Sequence, residues 1–377
     1  MLKLFEVSGF KNFNEKITLD FSDVREYRFN EHCVKDGLLK NAIIYGKNAS
    51  GKTNFSLALF DIVSHFTDRS ALPHRYDNYL NVANSSGVAE FRYVFQFDDS
   101  IVDYNYGKSA YNLLVSEKLA INGELLIDAK YNASDIGDIS GLQAFTPTLQ
   151  LASYKNGSIL KYALNNTVIN RGHPLFPLYQ MQQFILGIEW LKSFDEDVIH
   201  SMKGDTINAI FDRYPEFVQI FEKFLNMAGV KDKLHLKKDE DGVKRLYSAP
   251  EYYPSGRLPF FKTASSGTCS LFAFFVMLMV IGRSNPKLTL LLFDEFDAFF
   301  HFELAESIIK MLIEIPDIQV ILTSHNTNLM TNILMRPDCL FILTPEKLTS
   351  FAKATSRELR EGHNLEKLYM GGEFNGL

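Results

Sequence analysis

Lys52, Thr53, Asp294, Glu295 and His325 could do chemistry as a set, and that chemistry is phosphoryl transfer to water. Lys52 and Thr53 close the segment Gly46-Lys47-Asn48-Ala49-Ser50-Gly51-Lys52-Thr53, which fits the phosphate-loop pattern of Gly, four residues, Gly-Lys-Thr. Glycines there let successive backbone N–H groups turn inward around an anion. The Lys52 ammonium adds a point charge for the β- and γ-phosphates, and the Thr53 hydroxyl offers a ligand to magnesium. Asn54 opens a helical run whose N-terminal dipole faces the anion. The competing reading is a glycine turn that merely precedes a helix. The apolar strand Ala42–Tyr45 before the loop and the helix Asn54–Phe60 after it argue against that.

Asp294 and Glu295 end the apolar run Leu288-Thr-Leu-Leu-Leu-Phe. Such a run is a strand buried on both faces of a parallel sheet, and carboxylates at its C-terminal end sit where α/β sheets bind ligands. Asp294 is expected to hold magnesium, directly or through water, and Glu295 to polarise the attacking water. The alternative is a turn-forming acidic pair. A second buried strand, Ile318–Ser324, ends at His325, placed to contact a γ-phosphate and so report whether ATP or ADP is bound. A histidine at a strand end can equally be structural. Ser265, Ser266 and Gly267 precede the helix Cys269–Ile281 and make either a second anion site or an ordinary N-cap. Two phosphate-ready helix starts with one set of catalytic groups suggest a site shared between two copies of the chain.

The elements that must position these groups alternate along the chain. Leu2–Phe13 and Glu15–Phe21 read as a hairpin, residues 22–40 as a loop or lid, and the helix after the phosphate loop runs to about Phe66. Val88–Phe97, Ile101–Tyr106, Leu113–Ile121 and Glu124–Asp128 are short alternating runs parted by turn residues, which predicts an antiparallel meander. Apolar spacing predicts a helix over Tyr179–Lys192 and two more over Asp205–Met227. A charged hairpin follows, with Lys237, Lys238, Lys244 and Arg245 near its turn. Phe341–Leu343 and Leu348–Ala352 read as closing strands before a charged helical tail.

Composition narrows the class. The 377 residues suffice for one large domain or two ordinary ones, and the 32 phenylalanines predict an aromatic-heavy core. A formal net charge of −6 gives no global basic field towards nucleic acid or anionic lipid, although the charged hairpin leaves a local phosphate-backbone contact open. Cys33, Cys269 and Cys339 lie far apart in sequence without metal-ligand spacing and suit a reducing cytosol. The opening residues lack an apolar leader core, and the longest apolar run, Leu271–Ile281, is too short for a bilayer. A cytoplasmic protein without a membrane partner is therefore expected.

The order of motifs resembles the ABC-type ATPases of the SMC, RecF and OLD branch, most closely the compact prokaryotic AAA ATPases of abortive-infection and phage-defence operons. The matching residues are Leu4–Phe13, the loop Gly46–Thr53, Ser265–Thr268, Asp294-Glu295, Ser324-His325 and the tail Asn364–Phe374. The middle of the chain matches only loosely. The resemblance implies an α/β P-loop NTPase of ABC-ATPase type, with a mixed central sheet, an antiparallel β lobe and an inserted helical lobe. Residues 1–100 would carry the loop, 101–260 the meander and helical lobe, and 261–377 the signature, the strand-end carboxylates and the switch histidine.

It also implies ATP and Mg2+ as ligands and a head-to-tail dimer or higher homo-oligomer. In it, Ser265, Ser266 and Gly267 of one copy face the γ-phosphate of the other. The expected output is control of a separate effector, a nuclease or toxin, in antiviral defence. The alternative is a RecF-like DNA-binding ATPase in repair or recombination. About 50 residues follow His325, so a nuclease in cis is not expected, nor, without a heptad segment, is a coiled-coil arm. Three departures stand out. Ser266 replaces the first glycine of the usual signature, Asp297 or His301 stands where an aspartate is expected, and the magnesium-ligating glutamine has Gln150 as first candidate and Gln96 as second.

Overall fold

Strands of continuous apolar residues collect in one sheet of the computed structural model, and alternating strands collect in another. The structure describes residues 1–67, 69, 73–131, 136–154, 157–192, 205–240, 242–281, 287–298 and 300–374. β1 (Leu2–Ser8) and β2 (Ile17–Asp20) form the expected hairpin. The stretch expected as a loop contains a small ribbon, β3 (Val34–Lys35) with β4 (Leu38–Leu39). β5 (Asn41–Tyr45), buried throughout, leads into the phosphate loop and helix α1 (Lys52–Phe66). The meander follows as β6 (Ala89–Phe97), β7 (Ser100–Ala110), β8 (Leu113–Ile121) and β9 (Glu124–Lys130), closed by β10 (Gly137–Asp138).

The helix expected over Tyr179–Lys192 stops early. It spans Phe176–Leu186 and ends on Gly187, and Ile188–Lys192 is a strand, β11. The apolar spacing did not distinguish the two, but the Gly187 carbonyl accepts from Thr289 N at 2.9 Å, which draws the chain into a sheet. β12 (Lys233–Lys238), β13 (Lys244–Ala249) and β14 (Leu258–Pro259) make a three-stranded antiparallel sheet. β15 (Leu290–Asp294), β16 (Gln319–Ser324), β17 (Leu340–Leu343) and β18 (Leu348–Ser350) complete the strands. The last expected strand is cut short at Ser350, because Phe351–Ala354 turns helical.

The chain folds into two units: Met1–Leu191 with Leu288–Asp294 and Ile313–Leu377, and Lys192–Lys287 with Glu295–Leu312. The fold is α/β with mixed sheets. In the first unit, a six-stranded sheet runs β11-β15-β16-β5-β17-β18, with β15, β16, β5 and β17 parallel and β18 antiparallel. A seven-stranded sheet runs β10-β9-β8-β7-β6-β1-β2, so the meander and the opening hairpin form one surface. Helix α1 lies between the sheets. It packs on β15, while Phe55 meets Phe5 edge-on at 5.5 Å and the Tyr93 hydroxyl donates to the Ala58 and Leu59 carbonyls. The Gln319 carboxamide stitches the sheets together: it accepts from Leu2 N at 2.7 Å and donates to Leu2 O at 2.9 Å.

The second unit is mainly helical, with helices Asp205–Arg213, Phe217–Met227 and Ser266–Ile281. Its interior is built from phenylalanine rings: Phe217 meets Phe275 at 5.1 Å, and Phe221 meets Phe272 at 5.2 Å. Edge-to-face pairs of this kind add about 0.5–1.5 kcal/mol each beyond area burial.

Candidate functional site

The loop's shape follows from its residue types. Ala49 and Gly51 both have left-handed backbone, with φ of 64° and 101°, which turns the intervening amides inward. A Cβ at Gly46 would lie 2.3 Å from Ser50 Oγ and 3.0 Å from Leu343 O, so only glycine closes the turn there. Lys52 is buried and curls over the loop, donating to the Gly46 carbonyl at 2.8 Å and the Lys47 carbonyl at 3.2 Å. Lys47, Asn48 and Ala49 stand exposed at the apex, while Thr53 and Asn54 are half-buried on the first turn of α1.

Asp294 is fully buried at the C-terminal end of β15. The Thr53 hydroxyl donates to its Oδ2 at 2.7 Å, and Thr323, on the neighbouring β16, donates to its Oδ1 at 2.6 Å. Ser56, one turn along α1, reaches Oδ1 at 3.5 Å. Residues 241 positions apart in sequence thus form one cluster of hard oxygens. Carboxylate and hydroxyl oxygens at the loop suit Mg2+, which binds through one or two carboxylates, phosphate oxygens and water.

Glu295 follows directly and is half-buried, with a left-handed backbone at φ 51°. Non-glycine residues in that region store strain, and such strain concentrates at functional sites. The expected stand-ins for the missing aspartate follow in the second unit. Asp297 is buried in the turn after Glu295, and His301 is exposed beside Glu303. His325 is exposed just beyond β16, and its ring makes no hydrogen bond among the described residues. Asn326 caps the turn that follows, accepting from Asn328 N.

In the second unit, Ser265 and Ser266 are exposed and Gly267 is half-buried. Ser265 Oγ accepts from Thr268 N at 3.1 Å, so it caps the helix Ser266–Ile281. That helix starts three residues earlier than expected.

Neither glutamine candidate makes a side-chain hydrogen bond to Asp294. Gln150 is exposed ahead of the turn Leu151–Ser153, and its side chain makes no hydrogen bond among the described residues. Gln96 is the penultimate residue of β6, where its carbonyl accepts from the Met1 ammonium at 2.6 Å.

One contributor lies in the matched stretch Leu4–Phe13 without having been singled out as a site residue. Asn12 donates to the Ser50 carbonyl at 3.4 Å and accepts from Asn54 at 2.7 Å, pinning the loop to the start of α1. A Cβ on Gly51 would lie 2.3 Å from Asn12 Nδ2. Nothing in the pattern around Lys11-Asn12-Phe13 signals this, because the contact spans 38 residues. Thr323 and Ser56 were missed as well, although each is spaced from a residue already singled out.

A family model described as "AAA domain, putative AbiEii toxin, Type IV TA system" matches residues 42–331, from β5 to just past His325. The chain belongs to this AAA-domain family. Its fold is also similar to SMC heads. These include the SMC head bound to the C-winged helix domain of ScpA (16% identity, 93% of this chain and 97% of that one, TM-score 0.47) and the SMC head domain from Thermotoga maritima (16%, 93% and 98%, 0.43). A third is the Pyrococcus furiosus SMC head with an extended coiled coil bound to the C-terminal domain of ScpA (15%, 93% and 96%, 0.44). No curated protein matches the chain in sequence. No described helix of this AAA-domain protein is long and apolar enough to cross a membrane.

Proposed function

We propose that this AAA-domain protein is an ABC-type ATPase that works as a molecular switch, assembling around ATP and releasing on hydrolysis. The observation that carries the reading is Asp294, buried at a strand end with the Thr53 hydroxyl 2.7 Å from its carboxylate, directly after a phosphate loop. The loop amides and Lys52 bind the triphosphate, and Thr53 and Asp294 would hold Mg2+, which would supply positive charge against the phosphates. Glu295 takes the proton of the attacking water. His325, exposed at the end of β16, senses the γ-phosphate. Residues 1–100 and 261–377 supply the nucleotide machinery, and Ser265, Ser266 and Gly267 of one copy cap the nucleotide of another. The output we favour is control of a separate effector, a nuclease or toxin, in antiviral defence, in a cytoplasmic setting.

The RecF-like DNA-binding alternative draws less support. The hairpin does pair Lys237 with Arg245 and Lys238 with Lys244, but Lys244 meets Asp212 and Arg245 meets Asp239, which offsets two of its charges.

The test is the solution mass of Glu295→Gln with and without ATP and magnesium, since this variant should bind ATP and not cleave it. A mass that doubles only with ATP, and falls back when Ser266→Arg is added, supports the shared-site switch. A monomer under every condition overturns it.

A further inference from the structure

A cleft of about 310 Å3 lies on the outer side of the phosphate loop. Its walls are Gly46–Ser50, the end of β17 with Thr344 and Pro345, and two aromatics of the C-terminal segment, Tyr369 and Phe374. All belong to the first unit. We propose that this cleft receives the heterocyclic base of the nucleoside triphosphate, stacked on Tyr369. The proposal rests on the reading that the loop binds a nucleotide.

Sheet order gives the direction. β5 stands between β16 and β17, and Asp294 lies on β15, beyond β16. Thr53 and Asp294 would hold the Mg2+ that supplies positive charge to the transferring phosphoryl group, so the γ end of the triphosphate points to the Thr53–Asp294 side. The ester end, which carries sugar and base, then leaves across Gly46–Ser50 towards β17, where the cleft is.

The lining fits such an occupant. The Ser50 hydroxyl is more than nine-tenths buried, lines the cleft and has no hydrogen-bond partner among the described residues. Buried polar groups without partners are rare, and ligands are one way of satisfying them. Tyr369 is half-exposed, and neither its ring nor its hydroxyl has a partner among the described residues. The floor is anchored: Phe374 packs on Phe351 at 4.7 Å, and Phe351 on Tyr45 of β5 at 6.0 Å. Glu373 accepts from the Thr355 hydroxyl at 2.6 Å. The cleft is at the small end of ligand pockets, which run to about 300–1,000 Å3, as suits one bicyclic ring system.

Titration calorimetry of the full chain with ATP and with inorganic tripolyphosphate tests this, in the Glu295→Gln background to prevent turnover. Tyr369→Ala should weaken ATP binding on the order of 10- to 100-fold, as expected for a lost base–aromatic stack, and leave tripolyphosphate unchanged. Tyr369→Phe should bind ATP normally. Photolabelling with 8-azido-ATP should mark the peptide containing Tyr369. Equal weakening of both ligands, or no change in either, overturns the proposal. So does an unsubstituted Tyr369 chain that binds tripolyphosphate as tightly as ATP, which leaves the phosphate site standing. A chain that binds neither ligand overturns the nucleotide reading as well.

Discussion

In the parallel sheet, β5, β15 and β16 are buried throughout, and the polar groups that matter stand at their C-terminal ends: the loop after Tyr45, Asp294 and Thr323. In the antiparallel sheet the buried polar groups sit mid-strand. Lys108 donates to Asp61 at 2.6 Å, and the Tyr106 and Tyr79 hydroxyls donate to the same carboxylate. Glu117 accepts from Tyr104, Tyr131 and Ser158, and His65 links the two groups, hydrogen-bonding the Tyr104 hydroxyl at 2.7 Å and stacking on Tyr106 at 4.4 Å. α1 carries Thr53 and Ser56 at one end and Asp61 and His65 at the other, so one helix serves both arrangements. The strand-end groups gather beside the phosphate loop, whereas the mid-strand ones pair among themselves away from it. The first kind should govern turnover and the second stability.

The largest effect should come from breaking the mid-strand network. Asp61→Ala leaves the Lys108 ammonium buried without its partner, and both side chains are 4% exposed or less. A loss of about 3–5 kcal/mol is expected in denaturant unfolding. The double change Asp61→Leu with Lys108→Met should recover only part of it, because the buried Tyr79 and Tyr106 hydroxyls lose the same acceptor. Lys52→Ala is the converse test. Turnover should fall on the order of 10²–10³-fold with the unfolding midpoint held, and a parallel loss of stability would erase the distinction. Thr323→Val removes one orienting donor from Asp294 and should raise the magnesium needed for half-maximal turnover about 10- to 100-fold.

A pH titration sharpens the comparison. Burial, aided by Lys108 and Lys161, holds the His65 imidazole well below its usual range, so the folded state keeps it neutral. The unfolded chain takes up a proton near pH 6.5 and the folded one does not. Stability is therefore full above that pH and falls as the pH drops below it, by up to about 1.4 kcal/mol per pH unit. His65→Gln should flatten the unfolding free energy between neutral pH and pH 5. The smallest effect belongs to the open face of the antiparallel sheet, where Arg92 bridges Glu6 and Asp103 in water. Arg92→Gln should change stability by less than about 1 kcal/mol.

The strand-end chemistry was legible in the sequence because its parts announce themselves locally. A loop pattern, an apolar run and a terminal carboxylate need no knowledge of what is distant. The mid-strand network was not legible. Asp61 sits between Phe60 and Ile62 with no adjacent counter-charge, and its partner Lys108 is 47 residues away. Likewise, Cys33 and Cys339 read as unrelated thiols, yet both are buried and act on one another: the Cys339 side chain lowers the pKa of Cys33, and burial raises that of Cys339. The strand β11 hid inside a helical pattern because its five residues pair with a neighbour about 100 positions later. Apolar period alone cannot separate such a short segment from a helix.

The position of β5 between β16 and β17 carries a consequence for biosynthesis. The strand that delivers the phosphate loop leaves the ribosome early, but its neighbours begin at Gln319 and Leu340. Until most of the chain has been translated, Asn41–Tyr45 has no sheet to join and the loop no floor. The nucleotide site therefore cannot form on a short nascent chain, and a strand destined for complete burial remains exposed during synthesis, when such surfaces aggregate most readily.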